Sequence, residues 1–265
     1  MTGRPLASGN YMVARRVPRE VDTRPFGAAD ATVIDIELEE VTPAGEVVWR
    51  WSSADHISAS ETGRWWAAPN LSSPPYDLYH WNATDVSGGT LLLTFRHLDA
   101  AYAIDKSSGE ILWKLGGTPT DDSLRILGDP HGDYPLGGPH DIRALPGGTV
   151  SIYDNRIDLP GLPRVVRYRV DSEAGTARLV QSFSDPAVKR SYCCGSARLL
   201  GNTGNWVVGW GGWPVIAGYD SSGRRLFSLR TTAFGYRGNF ATANQLSIFG
   251  VRRGMDVIAR GPNAR

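Results

Sequence analysis

Four times along the chain a glycine-rich turn leads into an apolar strand, a second strand that ends in a polar turn, and a third that closes on an aromatic residue. The clearest copy is Gly88-Gly89-Thr90-Leu91-Leu92-Leu93-Thr94-Phe95, then Tyr102-Ala103-Ile104-Asp105, then Gly109-Glu110-Ile111-Leu112-Trp113. The other copies begin at Gly9, Gly147 and Gly204, with hairpin glycines at 45, 175 and 223. Short apolar strands joined by Asp/Gly turns are antiparallel hairpins, and their recurrence along a chain marks a radial β architecture. The expected fold is all-β, a β-propeller with about four recognisable blades. A β-sandwich with irregular strands is the competing arrangement. Blades are expected over residues 1–237 and an irregular tail over 238–265, because the hairpin pattern stops after Arg237. No strand is legible ahead of the first copy, so the expectation is an incomplete chain that carries part of a larger ring. Two insertions, Ser52–Pro75 and Thr118–Pro139, are expected to be surface loops on the face that carries the site.

With 28 basic and 27 acidic residues the formal charge is +1, which argues against a nucleic-acid partner. No apolar run of about 18 residues occurs, so no transmembrane segment is expected. The first ten residues lack an apolar core, so no signal peptide is legible. The two cysteines, Cys193 and Cys194, are adjacent, which rules out a disulfide framework, and a bond between neighbours closes a strained ring.

Of five histidines, His80 and His140 stand at matched places, each where the chain enters a blade. In a propeller such residues face the central channel, where two imidazoles can act as an acid/base or anion-holding pair. The plainer alternative is that each caps a neighbouring loop. His56 and His97 suit structural roles, and His131 lies in a Pro/Gly-rich loop. The chain has no His-x-His, His-x-x-x-His or Cys-x-x-Cys spacing, no carboxylate cluster flanking the histidines, and no Walker or dinucleotide fingerprint. Neither a metal nor another cofactor is expected.

Several segments together resemble the bacterial arylsulfotransferases that need no nucleotide donor. They are Trp49-Arg50-Trp51-Ser52-Ser53-Ala54-Asp55-His56, Asp77-x-x-His80-x-Asn82, Arg96-His97, Ile104-Asp105 through Gly116-Gly117, and Gly138-Pro139-His140-Asp141 with Tyr153-Asp154-Asn155. The match runs in order from Gly9 to Tyr236. The resemblance implies a six-bladed propeller in which a sulfuryl group passes from an aryl sulfate to a phenol through a sulfohistidine, by a ping-pong mechanism. It implies secretion or residence in the cell envelope. It maps His80 and His140 onto channel histidines and Arg164 onto a sulfate-binding arginine. Asn155, Asn82 and His97 fall in the same segments as substrate contacts. The chain departs from the family where the nucleophilic histidine is expected, for Ser191-Tyr192-Cys193-Cys194-Gly195-Ser196-Ala197 contains none. Two alternatives stay open: a non-catalytic propeller that binds a ligand or protein, and a quinoprotein-type dehydrogenase, which the Ile104–Trp113 segment and the Cys-Cys pair also resemble.

Overall fold

The computed structural model describes residues 3–24, 26–67, 73–201, 203–232, 235, 237 and 238. Its strands form four sheets in chain order, each an antiparallel meander. The first is β1 (Gly3–Pro5), β2 (Tyr11–Val21), β3 (Ala31–Val41) and β4 (Val47–Ser52). The second is β5 (Trp81–Ser87), β6 (Thr90–Phe95), β7 (Ala100–Asp105) and β8 (Ile111–Gly116). The third holds β10 (His140–Leu145), β11 (Thr149–Asp154), β12 (Arg164–Asp171) and β13 (Thr176–Phe183), with β9 (Arg125–Leu127) added parallel to β13. The fourth is β14 (Ser196–Leu199), β15 (Trp206–Trp210), β16 (Val215–Tyr219) and β17 (Arg225–Arg230). These are four blades of a β-propeller, and the described sheets do not close a ring.

Side-chain alternation explains why sheets stack in series. On β6, Leu91, Leu93 and Phe95 join the cluster shared with the first sheet, while Leu92 joins the cluster shared with the third. On β7, Ala100, Tyr102 and Ile104 face one way and Ala101 and Ala103 the other. Successive residues of a strand point to opposite faces, so a strand buried on both faces becomes the nearly continuous apolar run seen at Thr90–Phe95. The third cluster joins Tyr153, Val165 and Phe183 to Trp206, Val208, Trp210 and Tyr219 of the fourth sheet. A sandwich has two sheets, each with one face to solvent; this serial stacking excludes it.

Carboxylates latch the inner strands of successive blades together. Asp85 on β5 accepts the Ala144 N–H of β10 at 2.8 Å, and Asp141 on β10 accepts the Ala197 N–H of β14 at 3.0 Å. Asp141 also accepts from Arg143 and Arg198.

Three expectations need correction. A lead-in strand does precede the first copy: Gly3–Pro5 pairs with β2, but three residues are too few to show a period. Each repeat has four strands rather than three, because the inner strands β5, β10 and β14 carry buried polar residues such as Asn82, Asp141 and Ser196 that break the apolar pattern. The insertions are not simple surface loops. The first forms a short helix, α1 (Ser53–His56), and 3-10 turns over Ala59–Ala67 that bury Glu61, Thr62 and Trp65; the second supplies β9 and the fully buried Leu136. The expected tail, 238–265, lies outside the described residues except for Gly238.

The first insertion is fastened through a buried ion pair. Lys114 on β8, wholly buried, donates to Glu61 and to the Thr118 carbonyl, and Tyr102 Oη donates to the same Glu61 oxygen at 2.8 Å. Removing one partner strands a buried charge, so Lys114→Met should lower stability by about 3–5 kcal/mol. The double variant Lys114→Met/Glu61→Leu should recover most of that loss. Urea unfolding measures both, and a single-variant cost below about 1 kcal/mol contradicts the assignment.

Candidate active site

The ladder between β5 and β6 pairs Trp81 with Phe95 and continues outward. Arg96 N–H donates to the His80 carbonyl at 3.1 Å and His97 N–H to the Tyr79 carbonyl at 3.3 Å. This register sets His80 beside His97, their rings 4.6 Å apart at 37°. His80 has φ 47°, a left-handed conformation that turns the chain into β5. Its Nδ1 lies 2.7 Å from Asp77 Oδ2, three residues earlier. The carboxylate oxygen only accepts, so Nδ1 carries the proton and Nε2 the lone pair. Nε2 has no hydrogen-bond partner among the described residues, and the side chain is 35% exposed. Burial pushes the Asp77 carboxyl up, but the His80 hydrogen bond and the charges of His80, Arg16 and His97 outweigh it and hold the group below its ordinary value.

The two neighbouring imidazoles are fully occupied. His97 Nδ1 donates to the Asp77 carbonyl at 2.6 Å, and its Nε2 accepts from Arg96 Nη1 at 3.0 Å. His140, at the start of β10, donates from Nδ1 to Asn155 Oδ1 at 2.8 Å and to the Gly138 carbonyl at 3.0 Å; its Nε2 accepts the Cys194 N–H at 3.1 Å. Burial brings both rings down to about 3, with the charges of His80 and Arg96 acting in the same direction on each. Both are therefore neutral near pH 7, each with a fixed tautomer.

The remaining expected residues divide. Asn155 joins the site through His140, and its amide also donates to Ser191 Oγ at 2.6 Å and the Cys194 carbonyl at 3.1 Å. Asn82 has both ends of its amide engaged: it donates to the Pro139 carbonyl at 2.8 Å and accepts from Thr94 at 2.8 Å. It tethers the residue before His140. Arg164 is engaged elsewhere in the third blade. Its fork is committed to Asp129 at 2.9 and 3.0 Å, Asp154 at 2.9 Å and the Pro135 carbonyl at 2.7 Å. It staples the second insertion to β11 and β12, and no hydrogen bond or ion pair joins it to His80, His97 or His140. The cation bonded to a histidine ring is Arg96, which also donates to the Tyr192 carbonyl at 3.1 Å. Trp65 backs it, its ring 4.9 Å from the Arg96 guanidinium, 4.7 Å from that of Arg64 and 4.6 Å from the His97 ring. Arg96 and Asp77 both stand in the segments that carry the resemblance, and the β5–β6 register is the signal that selects them.

Where the family histidine is expected, Cys193 and Cys194 form a disulfide between neighbours. Cys194 has φ 62° and Gly195 φ 100°. The turn lies so close to Gly211 that a Cβ there would fall 2.2 Å from the Cys193 carbonyl. One carboxylate stands among the histidines: donor atoms of Asp77, His80 and His97 lie within 4.8 Å of one another. Arg16 sits 3.2 Å from the same carboxylate and Arg96 occupies His97, so the surroundings favour an anion over a cation.

The inner-strand entrances of this propeller set His80 against His97 and Asp77, with Arg96 on His97 and with His140 within electrostatic reach of His80 and Arg96. The arylsulfotransferase (ASST) family model matches residues 3–232, and the chain belongs to that family. No curated protein matches. Among solved structures, a Bacteroides caccae protein of unknown function is 14% identical with a TM-score of 0.51, covering 86% of this chain and 65% of that one. A putative 6-phosphogluconolactonase from Bacteroides fragilis is 12% identical with a TM-score of 0.45, covering 89% and 56%. The Myceliophteria thermophila Cps50 (Swd1) β-propeller domain is 11% identical with a TM-score of 0.45, covering 77% and 55%. The chain thus spans less than two thirds of the length of these structures.

The two buried rings give stability a pH dependence. Their folded values, about 3, lie below the ordinary histidine value of about 6.5, so between the two the unfolded chain binds protons that the folded chain does not. Stability is complete above that window. It falls as pH drops through it, by about 1.4 kcal/mol per pH unit for each histidine. Urea unfolding across pH should show this slope, smaller by one proton in His140→Gln. A flat profile from about pH 7 to about pH 4 contradicts the assigned burial.

Proposed function

We propose that this chain transfers a sulfuryl group from an aryl sulfate to a phenol, with His80 Nε2 as the relay atom. The observation that carries the reading is the allocation of ring nitrogens: of His80, His97 and His140, only His80 has a lone pair with no partner among the described residues, and its other nitrogen is held by Asp77. In the first step the N–S bond forms, the S–O(aryl) bond breaks, and the phenolate leaves to take a proton from solvent. The sulfated ring is then cationic, with its Nδ1–H on the Asp77 carboxylate, which stabilises that charge as it develops. In the second step the acceptor phenol loses its proton to solvent, its oxygen bonds to sulfur as the N–S bond breaks, and His80 returns to its neutral form. The Arg96 guanidinium adds positive potential where the sulfuryl oxygens gather. His97 and His140, neutral and fully bonded, position the surroundings and do not compete for the group.

Family membership supports aryl sulfates and phenols as donor and acceptor. A secreted or cell-envelope location is part of the same proposal, and the Cys193–Cys194 bond fits an oxidising compartment.

Release of 4-nitrophenol from 4-nitrophenyl sulfate in the presence of phenol tests the reading. His80→Gln should lower the rate roughly a thousandfold or more. Asp77→Asn should lower it roughly a hundredfold or more, because the ring loses its tautomer and its counter-charge. Wild-type rates in His80→Gln sink the proposal. An inactive native protein supports the binding-module reading, and a quinone absorbance band in it supports the dehydrogenase.

A further inference from the structure

Beside the site, a cleft of about 330 Å³ opens between the Asn155–Pro163 loop and the Lys189–Tyr192 segment. That volume falls in the range of small-molecule sites and holds one substituted ring. Its inner wall is Asn155 and Ser191, both buried, and Asn155 is the residue that fixes His140. Leu159 and Ile157 give it an apolar side, and the Tyr192 ring stands 56% exposed at the rim. The cleft is coupled to His80 through one guanidinium: Arg96 donates to the Tyr192 carbonyl with one Nη and to His97, the neighbour of His80, with the other.

The charges at the mouth are not balanced. Lys189 is exposed and makes no hydrogen bond or ion pair among the described residues, and Arg190 makes only a 3.3 Å contact with Tyr192 Oη. One carboxylate, Asp158, lines the cleft with them. Arg156 takes no part, since its guanidinium donates to the Pro160 and Tyr134 carbonyls and shapes the wall.

We propose that this cleft is the acceptor subsite and that it selects phenols bearing a carboxylate, with the ring on Tyr192 and the carboxylate at Lys189 and Arg190. That orientation sends the phenolic hydroxyl to the inner wall at Asn155 and Ser191, where Asn155 is hydrogen-bonded to His140. Two flexible cations suit a carboxylate at an open mouth, and an aromatic face suits the ring behind it. As an acceptor site the inference rests on the sulfuryl-transfer reading, but the binding it predicts does not depend on turnover.

Calorimetry on the unlabelled protein, with 4-hydroxybenzoate and phenol as ligands, provides the test. The wild type should bind 4-hydroxybenzoate roughly tenfold more tightly than phenol, and Lys189→Glu/Arg190→Glu should erase that preference. The milder Lys189→Gln/Arg190→Gln, in which both exposed residues keep their length and polarity, should give an intermediate preference, which guards against a folding defect. Equal affinities for the two ligands, or a preference that survives charge reversal, overturn the subsite. If the preference holds and no sulfuryl transfer occurs with either acceptor, the transfer reading fails and the binding cleft stands. If transfer to phenol proceeds without any preference, the cleft fails and the transfer reading stands.

Discussion

A neutral imidazole has one N–H and one lone pair, and in this protein the neighbours of each ring decide which of them remains available. The Cys194 N–H fills the lone pair of His140, and Arg96 fills that of His97. At His80 the nearest partner, Asp77, can only accept, so it takes the N–H and leaves the lone pair open. The same hydrogen bond that exposes Nε2 supplies the counter-charge for an electrophile attached there. Burial keeps the other two rings uncharged, so the positive charge at the site comes from Arg96, from Arg16 beside Asp77 and from whatever His80 acquires.

That allocation depends on how the blades are joined. Asn82 on the second blade holds Pro139, the residue before His140, and Asn155 on the third holds both His140 and the Ser191–Cys194 turn leading into the fourth. Asp85 and Asp141 repeat one device, a carboxylate on an inner strand accepting a backbone N–H from the next inner strand. Polar residues on inner strands are thus the fasteners between blades, whereas the apolar alternation of β6, β7, β11 and β12 fills the space between them. Of these fasteners, Asn82 and Asn155 bear directly on His140, one through Pro139 and the other through its Nδ1.

The hairpins were legible because Gly45, Gly109, Gly175 and Gly223 all have positive φ, and only glycine takes that conformation without strain. Strand period showed the outer three strands of each repeat. It could not show β5, β10 or β14, whose buried polar residues look like loop composition until the next blade is in place. His80 and His140 were found from their matched positions, but their inequivalence was not, since the atom that closes His140 belongs to Cys194, far along the chain. The partners of Arg164 are illegible for the same reason. Its carboxylate partner Asp129 lies in the second insertion, where no strand period connects the two residues. Asp77 stood inside the segment that carried the resemblance, and only the turn at His80 reveals that its carboxylate meets Nδ1.

The most direct measurement is to expose the protein briefly to an aryl sulfate without acceptor, quench in alkali, and locate the added sulfuryl group by peptide mass spectrometry. The account predicts the label on the peptide containing His80, absent when His80 is replaced and discharged by added phenol. A label on His140 or on the Cys193–Cys194 peptide would contradict it.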